Sequence, residues 1–261
     1  TQRPCPGRPQ PGIGAVNIYD TTGESRFDSL QVEMRGRFAR ALQLQASYVF
    51  SDVRDDVSEA FELAGSSSLP QNSLNFAGER GPANFDIRHR GTVAAIYDAN
   101  QLKEKLSGMA WLLSGMQAAL IGRLQSGQPF TVNTVYDVNL DGNLTDRLNS
   151  TNGLTETGDG QQPITVQTTN LIGLLAPTGN DGSVGRNSFR AGNLMTFDLA
   201  ISKAIQFSGS KRLVIRTELF NLFNRANFGI PVRFLEAPGF GRAANTVTPG
   251  FRLQLSLKLE F

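Results

Sequence analysis

From Phe251 to Phe261 the chain alternates without a break. Phe251, Leu253, Leu255, Leu257, Leu259 and Phe261 hold one parity, and Arg252, Gln254, Ser256, Lys258 and Glu260 hold the other. Successive side chains of a strand point to opposite faces. A strand here therefore has one apolar face and one polar face. That suits a lipid-facing barrel strand of about 9–11 residues, with Phe at each end in an interfacial aromatic girdle. It also suits an edge strand of a soluble sandwich, so this strand alone does not choose between them.

The pattern recurs. Leu30, Val32, Met34 and Phe38 alternate with Gln31, Glu33, Arg35 and Arg37. Leu42, Leu44, Ala46, Tyr48 and Phe50 alternate with Gln43, Gln45 and Ser47. Met195, Phe197, Leu199 and Ile201 do so with Thr196, Asp198 and Ser202. Leu213, Ile215 and Leu219 alternate with Arg212, Arg216 and Glu218, less cleanly because of Val214 and Phe220. Two more strands are predicted over 85–98 and 109–132, the second with Gln117 and Arg123 facing inward. The 102–121 stretch has an amphipathic helix as its alternative. Gly108, Gly115 and Gly122 favour the strand, each weakening a helix by roughly 1 kcal/mol relative to Ala. This makes seven strands, with residues 13–19 a candidate eighth.

Short and long connections alternate. Ala39-Arg40-Ala41 and Ser208-Gly209-Ser210 are tight turns, and 98–109 is a moderate linker. Residues 52–84, 133–193 and 224–249 are long polar stretches. A compact soluble domain rarely carries several structureless loops of that length. Short periplasmic turns opposite long extracellular loops are the layout of an outer-membrane barrel. With the long loops outside, the last strand runs inward and the carboxy-terminus is periplasmic. The fold expected is all-β: an antiparallel transmembrane barrel segment forming one domain over 1–261, with 1–23 as a loop or partial strand.

Composition removes other classes. The 25 basic and 23 acidic residues give a net charge of +2 and no basic stripe for nucleic acid. A single cysteine, Cys5, excludes a disulfide framework or a cysteine-based zinc site within the chain. No stretch reaches the roughly 18 apolar residues of a spanning helix. A membrane-spanning chain of this kind must then be a closed sheet. The chain opens without Met or a visible signal peptide and is read as a fragment or processed product.

Specific stretches then look familiar. They are Phe85-Asp86-Ile87-Arg88-His89-Arg90, Gln125-Ser126-Gly127-Gln128-Pro129-Phe130-Thr131 and Gly185-Arg186-Asn187-Ser188-Phe189-Arg190. Phe197-Asp198-Leu199, Glu218-Leu219-Phe220-Asn221-Leu222-Phe223-Asn224-Arg225 and Leu257-Lys258-Leu259-Glu260-Phe261 follow. In that order they resemble the carboxy-terminal barrel of TonB-dependent receptors, most of all the Oar-like group with a carboxypeptidase-regulatory-like domain. The ending, with Leu253, Leu255, Leu257, Leu259 and Phe261, is similar to the signal read by the barrel-assembly machinery. The resemblance implies a barrel of about 22 strands in outer-membrane lipid, with a plugged lumen. It implies upstream strands and an amino-terminal plug as partners, and uptake of a bulky ligand driven through TonB-ExbB-ExbD. Seven or eight strands would be about a third of such a barrel.

Several residues carry candidate chemistry. In Asp137-Val138-Asn139-Leu140-Asp141-Gly142-Asn143, oxygen ligands recur at alternate positions and Gly142 falls where a calcium loop turns sharply. Leu148 stands where that loop needs its closing acid, and Asp146 is the candidate substitute. The alternative is a solvated turn, since Asn and Asp bond their own backbone. His89, the only histidine, shares its parity with Ile87, Val93 and Ala95 and so faces outward. No Gly-x-Ser-x-Gly elbow accompanies it, and no phosphate loop is present. Asp86, Arg88, Arg90, Glu33, Arg35, Arg37, Arg212, Arg216 and Glu218 are assigned to the lumen, to line a ligand path or cross-link the interior. Tyr136, Phe234 and Phe240 lie in loops, where they could stack on a sugar. The function expected is import, without enzymatic activity, of an oligosaccharide, a peptide-derived ligand or a metal chelate. A structural, adhesion or secretion-related surface protein is the alternative.

Overall fold

The computed structural model describes residues 20–38, 41–58, 69–99, 113–208 and 211–261. Seven long strands are present: β1 (Ser25–Phe38), β2 (Leu42–Asp55), β4 (His89–Asp98), β5 (Met116–Gln125), β10 (Leu194–Ser208), β11 (Lys211–Phe220) and β12 (Arg252–Glu260). Five short ones lie between them: β3 (Gly81–Pro82), β6 (Pro129–Phe130), β7 (Leu154–Glu156), β8 (Ile164–Val166) and β9 (Phe189–Arg190). The long strands form one antiparallel sheet in the order β1-β2-β4-β5-β10-β11-β12. β3 pairs antiparallel with the end of β2, β6 with β9 and β7 with β8. Among the described residues β1 and β12 each pair on one side only, so the sheet is open.

Register turns the alternation into two faces. One row across all seven strands reads Gly36, Leu44, Ala95, Leu120, Leu199, Leu219, Leu253. An adjacent row on the opposite face reads Arg37, Gln43, Ile96, Ala119, Ala200, Glu218, Gln254. The apolar face is bare: Leu255 is 69% and Leu257 73% exposed. Leaving a Leu in water rather than burying it forgoes about 1.5–3 kcal/mol. A sheet with this face needs an apolar environment. No helix among the described residues is long and apolar enough to cross a membrane, which says nothing of a β-barrel.

The seven predicted strands are present, with altered limits. The strand expected over 85–98 starts at His89, because Phe85–Arg88 turns away: the Asp86 N–H donates to Ala83 O at 2.9 Å. The one expected over 109–132 runs from Met116 to Gln125. It begins after Gly115, whose φ of +75° breaks an extended run. It ends where the Gly127 N–H donates to Asn193 Oδ1, at 3.0 Å, and an added Cβ on Gly127 would strike Ala191 O. Residues 116–121 are strand, not helix; Leu113, just before them, is helical, and 102–112 lie outside the described residues. So do the candidate strand at 13–19 and the tips of both tight turns, though Phe38↔Leu42 and Ser208↔Lys211 show how closely those hairpins shut.

The described parts of the long connections are not structureless. They meet at one rim, marked by Asp55, His89, Gln125, Leu194, Phe220 and Arg252, and fold there into a cap. The cap owns the buried core, with Phe130, Val132, Leu148, Ile164, Leu174, Phe189, Leu235 and Phe240 clustered together. Three ion pairs, each with a buried carboxylate, tie the cap to itself and to the sheet. Arg147 Nη1 reaches both carboxylate oxygens of Glu79 at 2.8 Å. Arg186 pairs with Asp55 at the end of β2, and Arg190 with Asp86. Buried charges cost several kcal/mol each unless their remaining hydrogen-bonding groups are also met. Here they are: Arg147 also donates to Val184 O and Gly78 O, both at 3.0 Å.

Arg147→Met would leave Glu79 buried and unpaired. It is expected to destabilise the cap by about 3–5 kcal/mol. Hydrogen exchange checks this: amides over 69–82 and 126–190 should exchange faster while β10 and β11 keep their protection. Unchanged exchange in the cap would remove Arg147 as a tie.

Candidate functional site

Four of the familiar motifs converge where cap meets sheet. From 85–90 come Asp86, which accepts the Val53 N–H at 3.0 Å, and Arg88, which pairs with Asp52 at 2.7 Å. From 125–131 come Ser126, whose hydroxyl accepts the His89 N–H at 3.1 Å, Phe130 in the cap core, and Thr131. From 185–190 comes Asn187, in the left-handed region at φ +56°. Its amide donates to Pro82 O and Asn84 Oδ1, both at 2.7 Å, and its N–H donates to Thr131 Oγ1 at 2.9 Å. From 218–225 come Asn221 and Asn224, at φ +48° and +47°. Asn221 Nδ2 donates to Arg225 O at 3.0 Å and Pro249 O at 2.9 Å, and Asn224 Oδ1 accepts the Phe251 N–H at 2.9 Å. These asparagines shut the exit of β11 against the entry of β12. The sequence signal for them was the repeated Asn in Asn221-Leu222-Phe223-Asn224, since Asn tolerates the left-handed region.

The residues assigned to the lumen divide. Arg90, Arg212, Arg216 and Glu218 lie on the polar face, in register with Gln125, Glu260, Ser256 and Gln254. So do Glu33, Arg35 and Arg37, where Glu33 accepts from Arg35 at 2.7 Å and Gln45 at 2.9 Å. Arg212 pairs with Glu260, and Arg216 with Glu218 at 2.7 Å. Asp86 and Arg88 precede the strand, and Asp86 is fully buried beneath the cap. Their assignment to a strand face is corrected: alternation was extended past the point where the chain leaves the sheet.

A groove of about 300 Å³ opens on the polar side under the cap. Arg123, Thr196, Asp198 and Arg252 line it from the sheet, and Asn221 and Pro249 from the cap side. Arg123 and Asp198 stand 3.6 Å apart, and the Arg252 guanidinium lies 5.7 Å from the centre of the Phe220 ring. Two guanidinium groups, one carboxylate and one aromatic face can hold a polar ligand by charge, hydrogen bonds and stacking. Of the loop aromatics, Tyr136 is exposed, Phe234 is half-buried beside Arg233, and Phe240 is buried in the cap core. Phe240 is thus not free to stack on a ligand.

His89 lies on the apolar face, opposite Phe50. Its Nδ1 is 2.7 Å from the Tyr48 hydroxyl, and its ring packs on Tyr48 and Phe50.

The 137–146 loop is folded on its own carboxylates. Asp137 accepts the N–H groups of Asp141 and Gly142 at 3.1 and 3.0 Å. Asn139 Oδ1 accepts from Asp141 at 3.1 Å, and Asp141 from Asn143 at 2.8 Å. Leu140 and Gly142 take φ of +66° and +91° to make the turn. Asp146 is buried, and its Oδ2 accepts the Val138 N–H at 2.7 Å. Burial, reinforced by the charges of Asp137 and Asp141, pushes the Asp146 carboxyl up to about 6 against the pull of the backbone N–H groups. Among the described residues no group of three or more His, Cys, Asp or Glu side chains is gathered tightly enough to hold a metal by itself.

A comparison with curated proteins gave no match. A two-faced antiparallel sheet, bare on its apolar side and capped at one rim, is what a membrane barrel requires. The model of the outer membrane beta barrel domain family matches residues 1–254, and the chain belongs to that family.

Proposed function

We propose that this chain is the carboxy-terminal barrel portion of a TonB-dependent receptor that imports a bulky organic nutrient or chelate across a Gram-negative outer membrane. The observation that carries this reading is the form of the sheet. It has one mainly apolar face, interrupted by Thr217 and by Lys203 towards the short-turn rim, and, among the described residues, two edge strands without outer partners. The face fits lipid. The edges fit a barrel completed by upstream strands, of which these seven would be about a third. The cap fits a surface loop assembly over the mouth. The groove beneath it offers a polar ligand a seat at the top of the lumen. In this arrangement the short-turn rim, with the carboxy-terminus, faces the periplasm, where TonB-ExbB-ExbD would act on a plug. The chain's part is binding and passage, not catalysis.

Three expected outcomes test the reading. Leu255→Arg puts a charge into lipid near mid-strand and should cost about 2–4 kcal/mol, whereas Gln254→Arg on the other face should cost little. The folded fraction is read as the heat-modifiable gel band of detergent-extracted protein. Equal loss in both variants would remove the lipid assignment. An epitope inserted beside Ile172, which is 77% exposed, should be labelled on intact cells, and one after Phe261 should not. The reverse labelling would invert the topology. Finally, cells lacking this protein and cells lacking TonB should lose growth on the same source from a panel of oligosaccharides, peptides and iron chelates. A defect in surface attachment with growth intact on every source would sink import and favour adhesion.

A further inference from the structure

We infer that the loop from Asp137 to Asp146 binds one calcium ion, through side-chain oxygens of Asp137, Asn139, Asp141 and Asp146 and the main-chain carbonyl of Asn143. The observation that points to an ion is Asp146 Oδ1. It is buried in a residue only 1% exposed and has no hydrogen-bond partner. A carboxylate oxygen buried without a donor is unfavourable in a protein interior. The charges acting on Asp146 are two further carboxylates, Asp137 and Asp141, which add to that cost. The neighbouring cation, Arg147, is engaged with Glu79.

The donor set suits calcium. Calcium takes six to eight oxygens, mixing carboxylates, carboxamides, main-chain carbonyls and water, in flexible geometry. Three of the five donors are acids, Asp137, Asp141 and Asp146; as they stand they are not gathered tightly enough to hold a metal by themselves, and the Asn139 carboxamide and the Asn143 carbonyl complete the set. Asp137, Asn139 and Asp141 stand at the first, third and fifth places of a calcium loop, Gly142 at the turn and Asn143 at the carbonyl position. The oxygens that accept N–H bonds keep a second lone pair for a cation. Asp146 arrives two residues before the usual closing acid, from inside the cap. Magnesium demands near-ideal octahedral geometry and dehydrates reluctantly, and it fits this loop poorly.

The ion would brace three cap segments at once. Asn139 Nδ2 donates to Gln71 O at 2.8 Å and Asp181 Oδ1 at 3.0 Å, and the Arg147 N–H donates to Gln71 Oε1 at 2.7 Å. Asn72 donates to Asp181 Oδ2 at 2.7 Å. Nothing in the site depends on import.

Isothermal titration of the protein, purified from outer membranes in detergent, with calcium chloride tests the inference. One equivalent is expected, with Kd of about 0.1–1 mM, as in extracellular calcium modules. Magnesium should give no such step. Asp137→Asn and Asp141→Asn should each lose the step, while both keep the heat-modifiable band because the loop lies off the sheet. Hydrogen exchange of the unaltered protein reads the same loop without a variant. Calcium should slow exchange over 137–147 by about tenfold or more relative to magnesium. No calcium step up to about 5 mM, a step unchanged in either variant, or equal exchange in the two cations would overturn the site and leave Asp146 to a bound water.

Discussion

Register is the constraint on which the rest depends. Side chains alternate with a period of two, so a slip of one residue in any strand would turn its whole apolar set to the polar face. The observed pairing carries a single apolar row from Gly36 on β1 to Leu253 on β12 without a slip. That continuity requires each hairpin to close at a fixed length. Phe38↔Leu42 does so at once, while β10 and β11 absorb an irregularity between Gln206 and Ser208 before their turn. The polar face is held by shorter means, such as Ser47 bonded to Thr92 and Glu33 bonded to Gln45 across strands.

With its faces committed to two different surroundings, the sheet builds no core of its own. The core sits in the cap, where Leu148 and Ile164 are almost wholly buried. A cap joined by three long segments pays a large conformational entropy and must be fixed at its base. Arg186 and Arg190 do this by reaching from one motif to Asp55 and Asp86, carboxylates 131 and 104 residues away in sequence. Planar guanidinium groups can bond a carboxylate and several carbonyls together, which suits a junction of segments more than a single apolar contact would. Arg186 also takes in Glu79 O and Ser58 Oγ. The stretches that carried the resemblance in the sequence thus mark the weld between cap and sheet.

The strands were legible because period-two alternation is a local signal, strongest where one face is wholly apolar, as over 251–261. The cap was not. Leu148 stands alone among polar residues, Leu174 lies within the short apolar run Leu171–Ala176 and Leu235 beside Phe234, and no period joins them. Their meeting depends on contacts between segments far apart in sequence. Asp86 shows the same limit at a strand end: its parity with Arg90 was real, but a turn bonded to Ala83 had already taken it out of the sheet. The calcium-like spacing of 137–142 was legible because it is local. That Asp146 Oδ1 is buried without a donor was visible only in the folded cap.

The open edges set the last requirement. A strand paired on one side leaves about half of its N–H and C=O groups pointing outward. In hydrocarbon each such group costs several kcal/mol, and no water is present to meet it. β1 has 14 residues and β12 has 9, so both edges carry many of these groups. The apolar face asks for lipid, and the edges forbid lipid unless they are covered. Both demands are met together only if β1 and β12 gain partners, whether each other or further strands. The requirement falls on β12 most sharply, because its apolar residues are the barest of the sheet and its backbone lies beside them.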